Sequence, residues 1–344
     1  MNLKKLVKKE VSALRAYQAK EIPCRVKLDA NESPYGFQEA LQAVRKIPTN
    51  RYPDPEAKEL KAALCRELGV KPRNLLQGNG SDELIYYLIA AFGGPVLYPV
   101  PTFSMYGIIA QALGEKKKEL PLDRDFDIDL EKMIAGLKRT KPKIVFLSSP
   151  NNPTGNCFSS EKILMIIEAS KGIVVVDEAN QPFSSEKGFV PLLKDYENLV
   201  IMRTLSKIGL AALRFGFLVA HEDIIEEVNK VRLPFNVNAL SQAVAIEALK
   251  KKKVLRKTIR EISAERDRMM QAMESMKGVA PFPSEANFIL LRMEDPDYVY
   301  TSLLKRGILV RNLKNVVPGC LRMTIGTPQE NVAFLKALNE ITRG

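Results

Sequence analysis

Chemistry that needs histidine or clustered cysteine is nearly closed to this chain. It has one histidine, His221, and four cysteines, Cys24, Cys65, Cys157 and Cys320, which lie far apart and form no Cys-x-x-Cys pair. A Cys/His zinc site needs several such ligands at close spacing, so no metal is expected. Scattered cysteines also give no disulfide framework and fit a reducing cytoplasm. Long apolar runs are missing too. The longest candidates, such as "GIVVVDEA", are strand-sized, far short of the roughly 20 residues of a membrane-spanning helix. The basic opening "MNLKKLVKKE" is followed by no apolar h-region or small-residue cleavage site, so no signal peptide is expected. No internal repeat and no low-complexity linker interrupts the chain.

What the chain has in excess is positive charge: 52 Lys and Arg against 40 Asp and Glu, a net +12. Such a balance raises the question of nucleic acid. The lysines cluster at Lys4-Lys5, Lys8-Lys9, Lys116 to Lys118 and Lys250 to Lys253. Each cluster falls at an element end or on a helix expected to be exposed, and no zinc finger, RNP motif or other reader accompanies them. A solvated surface is the expectation, with neither nucleic acid nor membrane as partner. A positive field would also draw in small anionic substrates.

A length of 344 residues with 46% apolar residues suits one large domain plus a smaller one. Strand-like and helix-like runs alternate, which predicts an α/β fold with a mostly parallel sheet. "RYPDPEAKELKAALCRELG" predicts a helix capped by Asp54, with Pro55 at its first position and Gly69 at its end. A strand at "NLLQ", a helix at "SDELIYYLIAAF", a strand at "PVLYPV" and a helix at "PTFSMYGIIAQALG" follow. "KIVFLSSP", "GIVVVDEA" and "NLVIMRT" are near-continuous apolar runs, as expected for strands buried on both faces, and "RFGFLVA" predicts a strand turning back. After about residue 235 a charged helical region covers 238–277. Then come "ANFILLRM", a helix near 297–306, "GILVRNL", "CLRMTIGT" and a last helix to about 341, which together predict a smaller α+β domain. The expected division is 30–235 for the large domain and 236–344 for the small one, with 1–29 joining the small domain as a segment or lid.

Four stretches hold candidate chemistry. In "QGNGSDE" (Gln77–Glu83) glycines and a serine separate a strand from a helix. Backbone N–H groups at that helix start, with the Ser81 hydroxyl, can hold a phosphate. A tight turn with a capping serine would read the same, and Glu83 breaks the G-x-G-x-x-G dinucleotide fingerprint. "SSPNNPTG" (Ser148–Gly155) is a rigid loop at a strand's C-terminal end, the edge where open α/β sheets bind ligands, and Asn152 can turn its amide into the crevice. As an ordinary turn it is longer than it needs to be. "VVVDEAN" (Val174–Asn180) ends a buried strand on acids. Asp177 there is either a cap or the partner of a cation held in the crevice, because unpaired burial is costly. In "RTLSKIGLAALRFGF" (Arg203–Phe217) Lys207 enters apolar surroundings. Low dielectric favours its neutral, nucleophilic amine, which Schiff-base chemistry needs. A lone lysine there would instead snorkel to the surface.

Taken together, the four stretches describe one ligand. It needs a phosphate pocket (Ser81, Ser206, Arg214), an amine for an aldehyde (Lys207), an anion for a pyridinium (Asp177) and a donor for a ring phenolate (Asn152). That ligand is pyridoxal 5′-phosphate (PLP). Asp177 would keep its ring nitrogen protonated, so the ring accepts electrons from a substrate Cα.

On these residues the sequence resembles the fold-type I PLP-dependent aminotransferases, and within them the histidinol-phosphate branch. The matching stretches keep the family's order from residue 27 to 327: "KLDANESPYG", "RYPDP", "GNGSDE", "PTFSMY", "SSPNNPTG", "VVVDEA", "TLSKIGLAALRFGF", "ANFILL", "GILVR" and "LRMTIGT". The resemblance implies that Lys207 bonds the cofactor aldehyde and moves a proton, Asp177 pairs with the ring nitrogen, Asn152 bonds the ring oxygen and Tyr106 stacks on the ring. It assigns the cofactor phosphate to Gly80, Ser81, Ser206 and Arg214. Tyr52 would reach the cofactor of the other subunit, which makes the protein a homodimer with shared sites. Arg322 would bind the carboxylate of glutamate and the phosphate of histidinol phosphate in turn, with Arg311 and Tyr17 helping at the substrate phosphate. The implied reaction interconverts L-histidinol phosphate and 2-oxoglutarate with imidazole-acetol phosphate and L-glutamate, in histidine biosynthesis.

One departure stands in the site. The family reads Asp-Glu-Ala-Tyr where this chain has Asn180, so a phenol touching the ring oxygen is replaced by a shorter amide. The turn "KIGLAALR" after Lys207 is also compact. Aromatic amino acid aminotransferases and threonine-phosphate decarboxylases share most of these motifs and stay open as alternatives. A decarboxylase must labilise the carboxylate rather than the Cα hydrogen.

Overall fold

The computed structural model describes residues 2–16 and 22–343. A short helix α1 (Lys9–Ser12) precedes strand β1 (Val26–Leu28), and α2 (Lys58–Leu68) leads into β2 (Leu75–Gly78). Alternation then runs through α3 (Ser81–Phe92), β3 (Val96–Val100), α4 (Met105–Leu113), β4 (Lys117–Pro121) and α5 (Leu130–Thr140). It continues through β5 (Ile144–Ser148), α6 (Ser160–Ala169), β6 (Ile173–Asp177), β7 (Leu199–Thr204) and β8 (Gly216–Ala220). Helices α7 (Glu222–Val231), α8 (Ala239–Lys250) and α9 (Lys252–Glu274) follow. The chain ends with β9 (Val279–Pro281), β10 (Phe288–Met293), α10 (Pro296–Lys305), β11 (Ile308–Asn312), β12 (Cys320–Thr324) and α11 (Pro328–Arg343). Among these, no described helix is long and apolar enough to cross a membrane.

The main sheet has seven strands in the order β2-β8-β7-β6-β5-β3-β4. The five from β7 to β4 run parallel, and β8 is antiparallel to both β2 and β7. The chain leaves β3 for the edge at β4, then returns past β3 to form β5 on its other side. The crevice between the C-terminal ends of β3 and β5 is therefore the switch point of the sheet, where ligands of such folds bind. Every residue of β5 and β6 is buried. Their side chains alternate between two cores: Val174, Val176 and Ile201 feed one face, and Val175, Val200 and Met202 the other. Continuous apolar runs are needed because helices cover both faces.

The second sheet has five strands in the order β1-β11-β12-β10-β9. β1 is parallel to β11 and the remaining pairings are antiparallel. Local expectations shift in two places. Helix α2 begins at Lys58, after Ala57 takes a left-handed φ of 46°, so Pro55 lies ahead of the helix. Asp54 still accepts from the N–H groups of Glu56 and Lys58 at 3.0 and 2.9 Å, and Gly69 closes the helix at φ 69°. The charged helical region is split in two at Lys251, whose ψ of 46° breaks the helical run.

Candidate active site

Asp177 is the last residue of β6, in register with Ser148 of β5 and Met202 of β7. It is 3% exposed. The Tyr106 hydroxyl donates to its Oδ2 at 2.6 Å, and the Ala179 N–H donates to its Oδ1 at 3.0 Å. Among the described residues no lysine or arginine nitrogen lies within ion-pair distance of it. Burial pushes its carboxyl up to about 6, although both hydrogen bonds act the other way. Burial also drives the Tyr106 phenol well above its ordinary range, so it remains a donor.

Lys207 lies in the 3₁₀ turn Ser206–Ile208 that follows β7. Gly209 ends that turn at φ 101°, and a Cβ there would meet the Tyr35 carbonyl at 2.5 Å, so only glycine fits. Burial lowers the Lys207 ammonium to about 8. The positive charges of Arg322 and Arg214 add to the effect, against the smaller pull of Asp177 and Asp82. A sizeable fraction of the amine is then neutral at mildly alkaline pH.

An anion cradle is built beside it. Gly80 caps α3 with φ 85° and no side chain, so Ser81 is the first helical residue rather than the cap. The Arg214 guanidinium lies over Gly80, where a Cβ would come within 2.6 Å of its Nη2. Gly216 lets β8 approach the Ser81 N–H, which a Cβ would crowd at 2.8 Å. Arg214 is itself left-handed, φ 51°, and its Nη2 donates to Asp82 at 3.1 Å. Thr204 Oγ1 lies 2.8 Å from Ser206 Oγ and 2.9 Å from the Phe215 carbonyl, which fixes the serine at the mouth. Donors at a helix start, a hydroxyl and a guanidinium thus converge, as phosphate recognition requires.

The second sheet contributes Arg322 from β12. Its Nη1 donates to Asn152 Oδ1 at 2.6 Å and its Nη2 to the Asp29 carbonyl at 2.8 Å, while the guanidinium sits 5.2 Å over the Phe288 ring. Arg311 is directly across the ladder from Arg322, hence on the same face, but it is exposed. Asn180 is buried; its Nδ2 lies 3.5 Å from the Pro150 carbonyl, and its Oδ1 has no partner. Tyr52 is 82% exposed and stacks on Phe235 at 4.6 Å. Tyr17 lies outside the described residues.

Tyr106, the residue expected to stack on the cofactor ring, is fully buried, and one of its faces is covered by Phe146, 4.6 Å away and 3° from parallel. Its position on α4 sends the ring into the core, and its hydroxyl donates to Asp177. The aromatic left partly exposed at this edge is Phe103, edge-on to Tyr106 at 5.6 Å. It follows β3 at the switch point, a placement that only the strand order shows. Sequence reasoning also missed Asn151, which accepts from the Thr102 hydroxyl at 2.7 Å and joins the ends of β3 and β5. The second acid of "VVVDEAN", Glu178, was left without a role. It faces away from the crevice and pairs with Arg203 at 2.6 Å.

The residues present fit PLP. An acid with no cation faces a lysine of lowered basicity, a cradle excludes any Cβ, and a buried amide oxygen lacks a partner. Among the described residues no group of His, Cys, Asp and Glu could hold a metal ion.

Comparison with known proteins agrees with this geometry. The family of class I and II aminotransferases matches residues 25–338. The histidinol-phosphate aminotransferase of Aquifex aeolicus (strain VF5) is 47% identical over 348 residues, covering 97% of this chain and 98% of the relative. That of Thermoanaerobacter pseudethanolicus is 40% identical over 350 residues, covering 98% and 99%. Among solved structures, histidinol-phosphate aminotransferase from Sinorhizobium meliloti in complex with pyridoxal-5′-phosphate superposes with a TM-score of 0.87. It is 26% identical, with 98% of this chain and 97% of that chain covered.

Proposed function

The chain belongs to the class I and II aminotransferases, and on that premise we propose that it moves an amino group between L-histidinol phosphate and 2-oxoglutarate in histidine biosynthesis. PLP is the cofactor, the cytoplasm the location, and a homodimer with shared sites the working form. The observation that carries the reading is a buried acid and a partly buried lysine, neither of which, among the described residues, makes an ion pair. Asp177 is raised to about 6 and Lys207 lowered to about 8 within one crevice. Full-length likeness to histidinol-phosphate aminotransferases supports the choice of substrate.

Bound PLP supplies an aldehyde for amine nitrogen and a protonated ring that withdraws electrons from the substrate Cα. The chain's residues do the rest. Asp177 keeps the ring nitrogen protonated, and Tyr106 fixes the carboxylate rotamer through its Oδ2. Gly80, Ser81, Ser206 and Arg214 would hold the cofactor phosphate. Asn152, its own carbonyl held by Arg322, would offer its amide to the ring oxygen, with the Asn180 amide placed against the same loop at the Pro150 carbonyl. Phe103 takes the ring-facing place first given to Tyr106. Lys207 Nζ, neutral in part, is the base that takes the substrate Cα proton. Arg322 binds the substrate's anionic group, with Arg311 and Tyr17 as helpers. The exposed Tyr52–Phe235 stack supports a role for Tyr52 at the partner's site.

The test is a visible spectrum of the PLP-loaded protein before and after histidinol phosphate, with no keto acid present. Conversion to the pyridoxamine form is expected. A cofactor band that ignores histidinol phosphate but responds to an aromatic amino acid or threonine phosphate would transfer the substrate assignment to that compound.

A further inference from the structure

The acids Asp177 and Glu178 project to opposite faces of β6, as successive strand residues do. Behind Glu178 lies a second cavity of about 350 Å³, lined by none of Asp177, Lys207, Arg214 or Arg322. Leu205, Ile208 and Phe217 wall it on the sheet side, and Ile208 and Leu205 bracket the turn that carries Lys207. Leu64 of α2, Leu249 of α8 and Leu255 of α9 close the other side. Its buried polar features are Thr204 and the ion pair of Arg203 with Glu178, whose Nη2–Oε2 distance is 2.6 Å. Both charges there are satisfied within the protein, since Glu178 also accepts from the Phe189 N–H.

The mouth is basic. Five basic and three acidic residues line the cavity, which leaves two positive charges over. Glu67 is shared between Lys252 and Arg256, and the Arg256 side chain is 70% exposed. Small-molecule sites begin at about 300 Å³ and combine apolar walls with a few polar groups that fix orientation.

We propose that this cavity is a binding site for a small molecule with an apolar body and a single anionic group. The body lies among the leucines and Phe217, and the anion meets Arg66, Lys252 and Arg256 at the mouth. The site is independent of the transamination reading, because no residue assigned to the cofactor or the substrate lines it; Thr204, which holds Ser206, is the one wall it shares with the anion cradle.

The probe is 8-anilinonaphthalene-1-sulfonate, an aromatic body with one sulfonate, titrated by fluorescence into the PLP-loaded protein. Saturable binding near one site per chain is expected, unaffected by histidinol phosphate. Ala63→Trp, which fills the cavity from α2, should weaken binding by about tenfold or more. The paired change Arg66→Ser with Arg256→Ser, at exposed positions that leave the core intact, should weaken it by roughly two- to fivefold. The uncharged N-phenyl-1-naphthylamine should ignore that pair. No saturable binding overturns the proposal. So does an unchanged affinity in Ala63→Trp protein that retains its PLP absorbance, or displacement by histidinol phosphate, which would put the probe in the catalytic crevice.

Discussion

The crevice face and the rear face of the main sheet treat two neighbouring acids in opposite ways. On the rear face Glu178 is paired with Arg203 at 2.6 Å and accepts a backbone N–H. On the crevice face Asp177 receives a phenol and an N–H but no cation, and burial holds it up to about 6. Burying a carboxylate is tolerable when a cation and donors meet it, and costly otherwise. The difference separates a charge the fold satisfies for itself from one it leaves for a ligand, and unmet, perturbed groups of the second kind mark functional sites.

The strongest way to break the contrast is Lys207→Ala. Turnover should fall by at least about a thousandfold. Borohydride should no longer fix the cofactor to the chain, although PLP should still bind. Full turnover in this variant would falsify the assignment of the crevice.

The paired acids come next, as a double dissociation. Glu178→Gln strands a mostly buried Arg203 and should cost about 3–5 kcal/mol in denaturant unfolding, while the folded fraction keeps near-normal turnover. Asp177→Asn should do the reverse. Turnover should drop on the order of 10²–10³, and the PLP-free protein should gain up to about 3 kcal/mol, since a neutral amide carries no burial penalty of that size. If both variants lose stability and activity together, the two faces are not distinct.

Removing PLP should expose the two unpaired charges as a pH signature. The folded value of Asp177, about 6, exceeds its unfolded 3.8, so the folded chain holds the extra proton and stability falls as pH rises between them. The folded value of Lys207, about 8, lies below its unfolded 10.5, so the unfolded chain holds the extra proton and stability rises with pH through that window. Both charges therefore weigh most on the PLP-free protein between about pH 6 and 8, each on the order of 3 kcal/mol. Thermal melts with and without PLP should differ most in that range; a cofactor increment flat from pH 4 to 10 would contradict it.

The smallest effect sharpens the contrast instead. Tyr106→Phe removes the hydroxyl that holds Asp177 Oδ2 and should lower turnover about tenfold, in keeping with a hydrogen bond to a charged group. The acid limb of the pH–rate profile should move upward, because the carboxylate loses a donor that favours its charged form. A purely structural role for Tyr106 would lower the yield of folded protein and leave that limb in place.

Much of this was legible locally. The unbroken run Ile173–Val176 marks a strand buried on both faces, and Gly69 and Gly114 close their helices in left-handed conformations. Lys207, Asp177, Ser206 and Arg214 stand out as candidates by residue type beside a turn or strand end. Asp54 does receive the Lys58 N–H at the start of α2, but the cap position belongs to Ala57 rather than Asp54, and the left-handed turn that delays the helix leaves no mark in hydrophobic periodicity. For the ring-facing aromatic, "PTFSMY" offers two candidates, Phe103 and Tyr106. Which of them enters the core depends on how α4 packs against β3 and β5.

The sequence by itself determined what turns and strands can express over a few residues: the alternating fold, the glycine at the anion cradle, and a lysine at the end of a buried strand. Tertiary structure alone decided which charges are met. Arg322 reaches Asn152 from 170 residues away in the other sheet. Arg203 finds Glu178 because β6 and β7 pair with Asp177 opposite Met202, which sets Arg203 and Glu178 on the rear face together. A carboxylate is equally acidic wherever it stands in a chain. Its burial, its partners and hence its chemistry are properties of the neighbours that folding brings to it.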